Sequence, residues 1–161
     1  MTPEQIKRVV SQMQLAASDS EAERARCLLE AEMLPNQVIM PGCALAVAYA
    51  FAELPRSSRP GELESWEFLS QAAAGASGHT AASTSEVESV RAEILRNLRV
   101  AIDKVSGSGS TVSDFLAVDL LDAVLTFADP ELRHETLSGL EVFSRRGPRE
   151  AARVDVVIGD Y

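Results

Sequence analysis

Residues 113–128, "SDFLAVDLLDAVLTFA", constrain the fold of this chain more than any other stretch. At about 100° per residue, Asp119, Asp122, Thr126 and Phe115 fall on one narrow arc of a helix. Leu116, Val118, Leu120, Leu121, Val124, Leu125 and Phe127 cover most of the remaining circumference. A helix apolar on nearly every side cannot sit on a surface; it needs neighbours around it. The stretch therefore predicts a central helix in an all-α domain, with a mainly acidic stripe left to solvent.

The rest of the chain supplies those neighbours. "TPEQIKRVVSQMQLAAS" has Thr2 as N-cap, Pro3 at the first helical position, and Ile6, Val9, Val10 and Met13 on one face. "SEAERARCLLEAEML" reads as a second helix that ends before Pro35, and 41–54 as an Ala-rich third. "RSSRPG" has the composition of a loop, and 62–74 of a fourth helix. Ser85 is placed to cap a long helix over 86–105, with Glu88 three residues later as in a capping box. Residues 130–145 follow Asp129 and Pro130, a cap and a first-turn proline. The final segment 148–161 is read as a helix, with "RVDVVI" alone open to an edge strand. Seven to eight helices result, in one domain, with flexible Gly/Ser-rich connections near 75–85 and 106–112.

Composition excludes several function classes. The net charge is −9, with 46% hydrophobic and 24% charged residues. A nucleic-acid binder needs Lys and Arg to neutralise phosphate, so that class is not expected. An acidic chain instead steers a basic protein partner. The apolar run 38–52 is broken by Pro41 and Gly42 and is too short to span a bilayer. "MTPEQIKRVV" turns polar at once, unlike a secretory leader, so a cytoplasmic chain is expected. Cys27 and Cys43 form no CxxC pair and read as buried free thiols. Arg makes up thirteen of fifteen basic residues, a usage typical of GC-rich bacterial genes.

No catalytic constellation stands out. "ELRH" (131–134) has the ExxH spacing of di-iron bundles, but the second copy is missing, since Ala76 precedes His79 by three. "HETLS" begins like HExxH with Ser138 in place of the second zinc ligand. No GxSxG, P-loop or GxGxxG is present, and His79 lies among Ser and Thr residues in a linker-like stretch. Asp119 and Asp122, three apart on one helical face, are the nearest approach to a divalent-metal site, with no partner carboxylate helix identified. No cofactor and no metal are expected.

Two acidic clusters remain. Asp114, Asp119, Asp122, Asp129 and Glu131 lie between Lys104 and Arg133 with no basic residue among them. Glu62, Glu64 and Glu67 surround Trp66 with no Lys or Arg before Arg91. Asp114, Asp119, Asp122, Asp129, Glu62, Glu64, Glu67 and Trp66 are therefore the candidate partner-binding residues. Trp66 also has helical spacing from Leu63 and Leu69, as a core residue would.

"RHETLSGLEV" echoes "RAEILRNLRV": Arg, Glu, Leu, Leu and Val recur at Arg91/Arg133, Glu93/Glu135, Leu95/Leu137, Leu98/Leu140 and Val100/Val142. "SEAERAR" and "SEVESVR" share Ser, Glu, Glu and Arg at equal offsets. The 42-residue spacing of the first echo (133 − 91 = 42) lies within the roughly 40–47 residues of HEAT and armadillo repeats. "DPELRHETLSGL" resembles the opening helix of a HEAT repeat. That resemblance implies helical hairpins beginning near Ser20, Ser85 and Asp129, with an inserted helix around Trp66. In size, charge and composition the chain also resembles immunity proteins of bacterial polymorphic toxin systems. That resemblance implies a non-catalytic inhibitor that covers a toxin's active site. The alternatives are an adaptor or regulatory scaffold, and an enzyme with a divalent-metal carboxylate site.

Overall fold

The computed structural model describes residues 1–77 and 84–159, and every regular element in them is helical. His79 and most of the Gly/Ser/Ala/Thr-rich connection fall outside the described residues. Among the described residues, nine α-helices run in order: α1 (Pro3–Gln14), α2 (Asp19–Met33), α3 (Cys43–Glu53), α4 (Arg59–Ala76), α5 (Ser85–Arg96), α6 (Leu98–Ser106), α7 (Val112–Leu125), α8 (Pro130–Ser144) and α9 (Pro148–Gly159). Short 3₁₀ turns, Pro35–Gln37 and Leu54–Arg56, flank α3. None of the described helices is long and apolar enough to cross a membrane.

The ninth helix comes from a break at Asn97 that the periodicity of 86–105 conceals. Its side-chain Nδ2 donates to the Glu93 carbonyl at 2.9 Å, and its own N–H turns back to Ile94 O at 3.1 Å. That side chain competes for the carbonyl the helix ladder would use, as Asn does where helices end. α6 therefore starts afresh at Leu98. The cap of α5 is Thr84, whose Oγ1 accepts from Val87 N, and not Ser85. Likewise the loop expected at "RSSRPG" is in part a helix start. Ser58 caps α4 through Gly61 N at 3.1 Å, and Pro60 sits in the first turn, where its missing N–H costs nothing.

α4 and α7 are the two central helices. α4 packs on α1, α2, α5 and α7, and α7 packs on α4, α6 and α8. The helix around Trp66 is thus a hub of the domain and not an insertion beside it. Within α7, Ala117, Val118, Leu120, Leu121 and Val124 are fully buried, as an all-round apolar helix requires. Phe51 meets Trp66 edge to face, with ring centroids 6.4 Å apart, and Phe115 meets Phe143 in the same way at 5.3 Å.

Two glycines permit close approaches. Gly42 has φ +95°, a left-handed turn into α3 that carries the chain past Ile6. Gly61 lets α4 lie directly on the backbone of Gln14 at the end of α1. The terminal segment forms α9. Val154 and Val157 are buried and Val156 and Ile158 exposed, which is helical spacing and not strand alternation.

The Gly/Ser joint before α7 is tied down. Arg146 donates to the carbonyls of Gly109 and Val105, and Ser110 Oγ donates to the Glu150 carboxylate. That hydrogen bond from Ser110 is the main cause holding the Glu150 carboxyl below its ordinary pKa.

Candidate functional site

Glu62 in the first turn of α4 and Asp114 in the first turn of α7 are 52 positions apart in the chain, yet the α4–α7 packing brings them to one cation. Lys104, at the end of α6, places Nζ 2.6 Å from Glu62 Oε1 and 3.8 Å from Asp114 Oδ1. Ser113 Oγ donates to Glu62 at 3.5 Å. Asp114 is also the acceptor of the α7 cap: Thr111 N and Oγ1 donate to its Oδ2 at 2.6 and 2.7 Å. With its side chain only 3% exposed, Asp114 is a structural carboxylate that neutralises free N–H groups and the positive end of the helix.

Beside this junction opens a pocket of about 500 Å³ in which Asp19, Arg59, Glu62 and Lys104 stand among the apolar Pro60, Leu63 and Val112. Two carboxylates face two cations in it, so it presents no strong field of either sign.

The other acidic candidates separate by their tertiary surroundings. Glu64 is bound by Arg26 of α2 at 2.5 Å, and the same guanidinium reaches Glu30 at 2.6 Å. Burial works against the charged Arg26, but its hydrogen bonds to Glu64 and Glu30 outweigh that and raise its pKa above the ordinary value. Glu67 is half-buried and accepts from Gln71 Nε2 at 3.2 Å. Asp119 is held by Arg153 of α9, which donates from Nε at 3.0 Å and again from Nη2. Asp122 is half-buried in the next turn. Asp129 stays exposed and caps α8 through Leu132 N at 2.9 Å.

Trp66 is 1% exposed and lies in the core, so its indole presents nothing to a partner directly. Its Nε1 and the Gln14 Oε1 are two of the few buried polar atoms without a hydrogen-bond partner among the described residues. Among those residues, too, no three His, Cys, Asp or Glu side chains gather as a metal-holding group. The two cysteines differ: Cys43 is buried, and burial pushes its thiol up to about 12, with the Glu86 charge adding to the shift, whereas Cys27 is exposed on α2.

The residues that short-range reading misses are the countercharges, Arg26, Lys104 and Arg153. Each sits on a different helix from the carboxylate it binds, and no local spacing signals the pair. The exposed apolar side chains Leu15 and Leu28 give no signal either, because Leu28 lies off the core-facing stripe of α2 and Leu15 sits at the C-cap of α1. No family model, curated protein or solved structure matches this chain.

Proposed function

We propose that this chain is a non-catalytic protein-binding module, acting in a bacterial cytoplasm as an inhibitor of the immunity kind against a partner with a basic surface, such as a toxin domain. The observation that carries the reading is the charge left uncancelled on α8. Asp129, Glu131 and Glu135 are exposed and make no ion pair among the described residues. Glu62, Glu64 and Asp119, by contrast, are matched by Lys104, Arg26 and Arg153 and serve mainly to join helices. These carboxylates, without an ion pair at the cap and on the exposed face of α8 and backed by a net charge of −9, steer a basic surface inward, and apolar contacts at the centre hold it.

The array itself belongs to the same proposal, as helical hairpins of HEAT-like character. Support comes from the echoed arginines. Arg91 of α5 donates to Ala76 O, the last carbonyl of α4, and Arg133 of α8 donates to Leu125 O, the last of α7. Leu98 and Leu140 are both buried, and Val100 and Val142 both exposed. The segments that open the second and third hairpins, α5 with the start of α6 and then α8, thus use matching residues in matching ways, although the break at Asn97 divides only the first copy.

Affinity capture of the tagged chain at low and high salt, followed by mass spectrometry, tests the reading. A single stoichiometric partner, released by salt and lost in the D129N/E131Q/E135Q variant, is the expected result. An asparagine in place of Asp129 keeps the cap acceptor, so folding is spared. Several substoichiometric partners insensitive to the substitutions would assign the chain to the adaptors instead.

A further inference from the structure

We infer that the groove between α1 and α2 docks an acidic amphipathic helix of a partner protein. The groove encloses about 750 Å³. α1 contributes Arg8 and Gln12, with Leu15 at its C-cap, and α2 contributes Glu21, Arg24 and Leu28, each set at intervals of three or four along one side of its helix. These faces are distinct from the ones the two helices turn to the core, which carry Ile6, Val9, Val10 and Met13 on α1 and Ala22, Leu29 and Met33 on α2. The outer face of the hairpin therefore carries two exposed leucines among polar and charged side chains, and no described element covers it.

Leu15 is 68% and Leu28 48% exposed, and apolar side chains paired across a groove favour burial against a partner. Arg8 and Arg24 are exposed beside them, and neither makes an ion pair among the described residues. In a chain of net charge −9, most arginines find a carboxylate or carbonyl within the fold; these two border an apolar groove without one. Glu21, the acidic residue of the lining, is turned to its own helix start, accepting from Ala17 N at 3.0 Å.

An occupant must therefore supply apolar side chains for Leu15 and Leu28 and carboxylates for Arg8 and Arg24. An extended strand would find no sheet edge here to pair with. A helix satisfies its own backbone and lays one face into the seam between two others, so helix-in-groove docking is the mode that fits. From Arg8 to Leu15 the strip runs about 10 Å, so roughly two turns of the partner make the contact.

This inference stands apart from the reading of α8, which asks for a basic surface. The probe is a fluorescein-labelled synthetic helix with leucines along one face and glutamates flanking them, compared with the same peptide carrying lysines for the glutamates. Fluorescence anisotropy should show saturable binding of the glutamate peptide only. Its Kd should weaken about tenfold or more in the R8E/R24E variant, and again in L28D, with unchanged melting because these side chains are exposed. The D129N/E131Q/E135Q variant should bind the peptide as the parent does. Equal binding of both peptides, no binding of either, or binding indifferent to R8E/R24E would overturn the inference. So would a dimer of the parent chain that R8E/R24E converts to a monomer, because the groove would then belong to a second copy.

Discussion

Replacing Gly61 with alanine should destabilise the fold, although alanine is the better helix former. A Cβ at this position would stand 2.2 Å from Gln14 O and 2.5 Å from Gln14 C and Cα. Non-bonded carbon contacts settle near 3.5 Å, so the first turn of α4 must retreat from α1 by roughly 1 Å. The obstacle is backbone, and no rotamer change can relieve it. Retreat also strains the two hydrogen bonds that fasten this junction, Ser58 N to Gln14 O and Ser58 Oγ to Ala16 O, both 2.8 Å. Overpacking costs about 1–3 kcal/mol and each weakened hydrogen bond up to about 1 kcal/mol. Alanine returns at most about 1 kcal/mol through helix propensity, so the net loss is about 2–3 kcal/mol. For a domain of this size that lowers Tm by about 5–10 °C. Thermal melting followed by circular dichroism at 222 nm (a helix band) measures it, with G159A as the control. Gly159 has no atom within 4 Å of the added methyl, so its variant should melt within a degree or two of the parent, about the shift expected of a surface substitution. A G61A protein melting at or above the parent would refute the close-approach argument.

Substituting K104M should cost about 2 kcal/mol, because the 3%-exposed Asp114 carboxylate loses its one ion-pair partner among the described residues, while E62Q should cost less than about 1 kcal/mol; chemical denaturation would rank them. An S110A variant should raise the pKa of Glu150 towards its ordinary 4.5, read by carboxyl-carbon NMR titration. Since the folded pKa of Glu150 is depressed, its contribution to stability is present above about pH 4.5 and is lost as pH falls through the folded value; S110A should flatten that acid-side loss. Thiol titration with Ellman's reagent should count one reactive cysteine in the native protein, Cys27, and two in denaturant, because Cys43 is buried with its thiol pushed up to about 12. Two fast thiols in the native state would contradict the packing of α3.

What the sequence determined by itself is local. Helix type and approximate limits follow from a period of 3.6 and from caps a few residues away, such as Thr2 with Gln5 and Asp129 with Leu132. The all-round apolar character of 113–128 placed α7 at the centre for the same reason: burial on every side is written into one segment. Where a side chain competed with the backbone, as at Asn97, periodicity carried no trace of the break, since both halves keep the same apolar face. The meaning of the acidic clusters was decided only in the tertiary structure. Read along the chain, Glu64 and Asp119 have no basic residue within four positions, and Arg59, three before Glu62, is not the cation that pairs with it. In the fold, Lys104, Arg26 and Arg153 reach them across sequence separations of 42, 38 and 34 residues. An ion pair depends on distance in space, and packing of helices sets that distance without any periodic signature. The same packing buried Trp66 and left Leu15 and Leu28 in the open, because the side of a helix that faces the core is chosen by its neighbours as well as by its own pattern.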